Sequence, residues 1–316
     1  MQNNQSIIVI FGGTGMIGKS LLRRLCEKGY RIIIVTRSPY NNLDCKLAGN
    51  AGQIELEKNL NLFDKDKIKE ILSSATFVIN LVGVLYEKKR QSFDDIHSKF
   101  PAILASLCED LNIKKLIHIS ALGVKKNNKS KYLKTKFSGE KNILKFKNSV
   151  VIRPSLVVGP NDKFTNKFAF LSQFSPFLPL VGGGKTKFSP VFVNDLASAI
   201  VAVLEKEEIK ENIFEIGGAE EFTFHQLMLI ILRQIKKKRF LLSIPWSMAK
   251  YFAKFSEVFT KDLLTQDQVI MLQDSHSVVS GQYPGLKDLN ISPIRLETVL
   301  PDWIFRYREF GQFNKD

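Results

Sequence analysis

This chain has little cysteine, little histidine and no long apolar run. Three cysteines, Cys26, Cys45 and Cys108, are scattered over 316 residues without CxxC spacing. That pattern suits a reducing compartment and gives no support for a disulfide frame or a zinc site. The four histidines, His97, His118, His225 and His276, are equally dispersed, and no metal is expected. His118 lies in an apolar strand pattern and reads as a core residue rather than a ligand. No apolar stretch approaches the roughly 20 residues needed to span a bilayer. The opening Met1-Gln2-Asn3-Asn4-Gln5 is polar and uncharged, and no signal peptide precedes the first apolar run. The expectation is a soluble or peripherally attached intracellular chain.

Acidic residues are also in short supply. Forty-six basic residues face 31 acidic ones, a formal charge of +15, and residues 125–147 alone hold nine lysines. A second run is Lys236-Lys237-Lys238-Arg239. Such a field favours anionic partners: phosphorylated cofactors, acidic proteins, anionic lipid or nucleic acid. No aromatic platform accompanies the lysines, so nucleic acid is set aside and most of them read as solvated surface. Hydrophobic residues make up 44 % of the chain, enough for a sizeable core.

The most informative segment is Gly12-Gly13-Thr14-Gly15-Met16-Ile17-Gly18. It follows the apolar run Ile7–Phe11, which reads as a buried parallel strand. It precedes Ile17, Leu21, Leu22 and Leu25, which recur at helical spacing. A strand, a glycine turn and a helix in that order bring the backbone close to a pyrophosphate at the positive end of the helix. The context makes this much stronger than a glycine pattern alone.

Further strands are expected at Arg31–Val35, Gln53–Leu56, Thr76–Val82, Leu116–Ser120 and Ser149–Ile152, with helices over 64–73, 92–111 and 132–146. This alternation predicts an α/β Rossmann-type, doubly wound parallel sheet. Ligands of such sheets bind beyond the carboxyl ends of the strands. The residues of interest are therefore Gly12, Arg37, Leu81-Val82-Gly83, Ser120 and Pro154. After residue 160 the pattern changes: Pro176, Pro179 and Gly182-Gly183-Gly184 read as loops. A short strand near Pro190–Val193, a helix over 195–204 and a strand at Ile213–Ile216 follow. The expected division is a nucleotide domain over 6–160, with returns over 186–216, and a smaller, mainly helical lobe over 217–316.

An acidic residue about 20 positions after the glycines binds the ribose 2′-hydroxyl of NAD. Here Arg37 stands 19 residues after Gly18, followed by Ser38. An acid would repel a 2′-phosphate, whereas a guanidinium grips it bidentately and Ser38 adds a hydroxyl. NADP(H) is the expected cofactor in preference to NAD(H).

Tyr132-Leu133-Lys134-Thr135-Lys136 puts a tyrosine and a lysine four apart on one helical face. With the glycine turn, this pair resembles the short-chain dehydrogenase/reductase superfamily, especially its extended and atypical branch. The resemblance implies that Tyr132 is the acid/base on a substrate oxygen, with Lys136 lowering its pKa and binding the nicotinamide ribose. Ser120 matches the family's strand-end serine. The usual catalytic hydroxyl position, two residues later, is Leu122, which offers no side-chain donor to an oxyanion.

Downstream segments narrow the resemblance: Val151-Ile152-Arg153-Pro154-Ser155, Gly159 to Phe164, Ser189 to Asp195, and Pro284 to Leu289. Over about residues 6–308 the chain resembles the subgroup containing the NADPH-binding accessory subunits of respiratory complex I (NADH:ubiquinone oxidoreductase) and bacterial relatives. That likeness implies tightly held NADPH, structural or assembly-related function, and partners among the complex I subunits. Location would be cytoplasmic, peripheral on the cytoplasmic face of the inner membrane, or on the matrix side if mitochondrial. Tyr132 and Lys136 would then be ribose ligands. The alternative is a working NADP-dependent reductase or epimerase using the same pair. Between Pro245 and Lys261 an apolar stripe of Met248, Phe252, Phe255 and Phe259, with Lys250 and Lys254 elsewhere on the helix, suits an anionic membrane, partner helices or its own domain.

Overall fold

Apolar runs rich in Ile and Val bury both faces only when helices cover both sides of their sheet. The computed structural model, which describes residues 6–59, 61–88, 91–208, 210–259, 264–309 and 311, has that layout. Its first half alternates β1 (Ile7–Phe11), α1 (Met16–Glu27), β2 (Arg31–Thr36), β3 (Ile54–Lys58), α2 (Lys65–Leu72), β4 (Phe77–Asn80), α3 (Phe100–Asp110), β5 (Lys115–Ile119), α4 (Lys131–Ile143) and β6 (Ser149–Pro154). There follow β7 (Val157–Val158), α5 (Thr165–Phe174), β8 (Phe177–Val181), β9 (Lys187–Phe188), β10 (Val191–Phe192), α6 (Val193–Glu205) and β11 (Ile213–Ile216). The last stretch holds β12 (Phe222–Thr223), α7 (Phe224–Gln234), β13 (Phe240–Ile244), α8 (Trp246–Phe259), α9 (Gln266–Asp274), α10 (Leu296–Val299) and α11 (Pro301–Ile304).

Seven strands form one parallel sheet in the order β3-β2-β1-β4-β5-β6-β11. The order reverses between β1 and β4, which opens a crevice at their carboxyl ends. Ile8, Ile10, Ile32, Ile34, Ile117 and Ile152 face one core with α1 and α6. Val9, Phe11, Ile33, Val78, Leu116 and Val151 face the other, with α2, α3 and α4. The inner strands β1, β2, β4, β5 and β6 thus put alternate residues into two different cores, as their largely apolar sequences require. His118 is fully buried in β5.

The rest of the chain packs α5, α7, α10 and α11 around Leu178, Leu227, Met228, Ile231, Leu300 and Trp303. It also contains short strands at positions the sequence reading leaves as loops. Pro179, expected to mark a loop, sits inside β8 and pairs in register with Leu242 of β13. The two strands form a ladder of their own, and an edge strand tolerates a residue without an N–H. The helix expected over 92–111 is divided: Asp95–Lys99 is a π-helical turn that leads into α3. Phe255 and Phe259 of the expected stripe lie outside the described side chains. Among the described residues no helix is long and apolar enough to cross a membrane.

Candidate functional site

The glycine segment lies where the crevice opens. Gly12 follows β1 with φ +78°, and a Cβ there would press 3.1 Å from the backbone of Leu81 and Val82. Glycine at this position lets the β1 turn and the β4 loop approach each other. Gly18 serves packing instead, since its Cβ would fall 2.1 Å from the carbonyl oxygen of Gly13. Gly15 is different: its Cβ would meet nothing closer than Gly12 O at 3.5 Å, an ordinary contact. Neither packing nor backbone strain explains a glycine at 15, whereas a ligand lying against the backbone does. Gly15 is the N-cap of α1 and makes no side-chain cap, and the first turn carries no acid. The amides of Met16, Ile17 and Gly18 therefore head a helix whose positive end is uncompensated.

The β4 loop forms the facing wall. Leu81 N–H donates to Phe11 O at 2.9 Å and Val82 N–H to Asn80 Oδ1 at 3.0 Å, while Gly83 is exposed. Val84 N–H donates to His97 Nε2 at 3.1 Å. At the outer end of β2, Arg37 and Ser38 are both exposed. The Arg37 side chain has no hydrogen bond or ion pair with any described residue, so it is available to an anion.

The other end of the crevice is set by β5 and α4. Ser130 caps α4 by accepting from Leu133 N–H at 3.3 Å, which starts the helix just before Tyr132. Lys136 is buried and donates from Nζ to Ile119 O at 2.9 Å. Among the described residues that is one acceptor for an ammonium with three donors, and desolvation lowers its pKa to about 8. Ser120, buried at the end of β5, has a hydroxyl with no partner among the described residues. Tyr132 is half-buried, edge-on to Phe93 and His97 at 5.7 and 5.1 Å. Burial, assisted by the Asp267 carboxylate, pushes its phenol up to about 12. That direction is opposite to the one an acid/base tyrosine needs at neutral pH. Pro154 ends β6, where its carbonyl accepts from Leu122 N–H at 3.0 Å.

Three participants escape the sequence reading. Asn80 spans the crevice wall, its Oδ1 on Val82 and its Nδ2 3.0 Å from His118 Nδ1. A lone amide ending an apolar strand was a usable signal. His97, stacked on Phe93 at 5.4 Å, depends on the π-helical turn and gave no local signal. Asp267 reaches α4 from α9, a contact that only the tertiary fold creates. Together the uncapped helix end, the space at Gly15, the orphaned Ser120 hydroxyl and the underbonded Lys136 ammonium fit an elongated, hydroxyl-rich, phosphorylated ligand.

A family model described as the NAD dependent epimerase/dehydratase family matches residues 8–217. The chain belongs to this family. It is similar to the NADH dehydrogenase (ubiquinone) 1 alpha subcomplex subunit 9, mitochondrial, of Dictyostelium discoideum, 30 % identical over 324 residues that cover 99 % of this chain and 88 % of the relative. The protein of the same name from Arabidopsis thaliana is 29 % identical over 317 residues, covering 96 % and 79 %. Among solved structures, dTDP-glucose 4,6-dehydratase from Bacillus anthracis, in complex with NAD, matches the fold with a TM-score of 0.71. It is 18 % identical and 95 % of each chain is covered. Leu122, in the loop that follows β5, is buried and carries no hydroxyl.

Proposed function

We propose that this chain is an NADP(H)-binding accessory or assembly subunit of a complex I-type NADH:quinone oxidoreductase, and that it holds its nucleotide without turning it over. The similarity to alpha subcomplex subunit 9 over nearly the whole chain carries this reading. In it, residues 6–160 with the returns over 186–216 carry the nucleotide. The turn Gly12–Gly18, including Thr14, receives the pyrophosphate on the amides of α1. Arg37 and Ser38 take the 2′-phosphate, which favours NADP(H) over NAD(H). Leu81, Val82, Gly83, Ser120 and Pro154 line the nicotinamide half, and Tyr132 and Lys136 bind its ribose. The bound cofactor would supply a hydride to any reaction run here. Leu122 and the upward shift of Tyr132 support a site that runs none.

The lobe over 217–316, joined by α5 and β8, is the proposed partner side, resting peripherally on an anionic membrane at the cytoplasmic or matrix face. Phe174 is 77 % exposed, Phe240 70 % and Tyr251 72 %. Phe240 lies 5.7 Å from Phe177 across the β8–β13 ladder, and Lys236 to Arg239 lead directly into β13. Aromatic side chains beside a basic run suit the interface of an anionic bilayer.

The competing reading is an active reductase or epimerase, favoured by the retained Tyr132 and Lys136 on one face of α4. Purification of the tagged full chain from native membranes in mild detergent separates the two. The accessory reading expects co-migration with the respiratory complex and NADP(H) released on denaturation. A chain that runs alone, with a turnover abolished by Tyr132→Phe, overturns it.

A further inference from the structure

Asp267 is the second residue of α9 and stands 135 positions after Tyr132, yet its carboxylate completes the start of α4. Oδ1 accepts from Lys131 N–H at 2.6 Å. Oδ2 accepts from Tyr132 N–H at 3.1 Å and from the Ser130 hydroxyl at 2.8 Å. The first turn of the tyrosine helix is thus satisfied twice, once by its own Ser130 and once by a carboxylate from the other lobe. A negative charge at that end is also favoured by the helix dipole.

Neighbouring contacts brace α9 and the start of α4. Gln268 Nε2 reaches Leu85 O at 3.4 Å in the β4 loop. Lys131 Nζ donates to both oxygens of Glu87 at 2.9 Å, and Glu87 accepts from Phe93 N–H at 2.7 Å. Thr186 Oγ1 donates to Leu272 O at 2.7 Å, which holds the other end of α9. On its far side α9 packs Val269 against Ala249 and Ala253 of α8, the helix that exposes Met248, Tyr251 and Phe252.

We propose that Asp267 is a positioning residue for the nucleotide site, through which docking of α9 and the seat of Tyr132 and Lys136 form one linked equilibrium. The nucleotide half of this inference rests on the function proposed above; the α4–α9 half does not. The physical basis is that Asp267 holds the backbone of Tyr132 itself. When α9 lifts, the first turn of α4 loses an acceptor for two amides and frays, and Tyr132 moves with it. Linkage runs both ways, so a ligand gripping Tyr132 and Lys136 must also stabilise α9 in its docked position. A partner that seats α8 acts on the same equilibrium from outside.

Hydrogen exchange on the full chain, with and without NADPH, tests this, using wild type, Asp267→Ala and Asp267→Asn. In wild type, NADPH is expected to slow exchange in 266–274 as well as at the start of α4. Asp267→Ala is expected to speed exchange at Lys131 and Tyr132 without nucleotide, to uncouple α9 from NADPH, and to weaken NADPH about tenfold. Asp267→Asn keeps one acceptor oxygen and turns the other into a donor, so it is expected to restore protection at one of the two amides and not at both, a split that a general loss of packing would not produce. Unchanged exchange at Lys131 and Tyr132 in Asp267→Ala overturns the α4–α9 link. NADPH binding that leaves 266–274 unaffected overturns the coupling. If NADPH does not bind wild type at all, the proposed function and the coupling both fail, while the nucleotide-free comparison still decides the α4–α9 link.

Discussion

Arg153 Nε and Nη2 donate to the two carboxylate oxygens of Glu140 at 2.9 and 2.7 Å, a bidentate pair buried four residues beyond Lys136 on α4. Arg153 also lies 3.7 Å from Glu215 of β11, and its guanidinium sits 5.0 Å from the Tyr283 ring centroid. Glu215 in turn accepts from Ser280 N–H at 2.6 Å. One cation thus ties α4, β6, β11 and the 280–283 segment together behind the site. Arg153→Met strands two buried carboxylates and is expected to cost about 3–5 kcal/mol of stability. The denaturant midpoint of the variant reads this; a midpoint equal to wild type contradicts the assignment.

Gly15 and Gly18 are expected to respond in opposite ways to the same change. Gly18→Ala drives a methyl group into Gly13 O and should destabilise or unfold the chain. Gly15→Ala meets only an ordinary contact, so its stability should stay within about 0.5 kcal/mol of wild type. The methyl group nevertheless occupies the place proposed for a pyrophosphate, and nucleotide affinity should fall tenfold or more. Thermal melting combined with a nucleotide titration separates the two effects. A Gly15→Ala chain that binds as wild type contradicts the cradle.

Acid should destabilise this protein through two buried rings. His97 is driven down to about 2, and His118 well below its ordinary 6.5, by burial first and the Lys136 charge second. Both stay neutral in the fold and take up protons near pH 6.5 once the chain unfolds. Stability is therefore fully present above that value and falls as the pH drops below it, by roughly 1.4 kcal/mol per pH unit for each ring. Asp162 and Asp195, shifted upward by burial, act in the opposite sense nearer the carboxylate range. Denaturant midpoints measured from about pH 7 to 5 should decline; a flat profile contradicts the neutral, buried state of the two histidines.

The sheet was legible because its inner strands are mostly apolar runs, rich in Ile and Val, between helical periods, and β1 and β11 match their expected bounds to the residue. The glycine turn was legible for a related reason: its context is local, one strand before and one helix after. The short ladders outside the main sheet were not. β8 and β13 carry Pro179 and exposed aromatics because they pair only with each other, so neither shows the two-sided apolar signature of a core strand. The surroundings of Tyr132 were hidden for a different reason. His97, Asn80 and Asp267 arrive from three elements, and only Asn80 carried a local sign of its role.

Cofactor preference is measured most directly by an equilibrium titration of the purified full chain with NADPH and with NADH, read by nicotinamide fluorescence. Arg37→Glu is titrated alongside wild type, since Arg37 has no partner among the described residues and its loss should leave the fold intact. NADPH is expected to bind more tightly than NADH, and Arg37→Glu to erase or reverse that order. Equal affinity for the two nucleotides in wild type, or no binding of either, would contradict it.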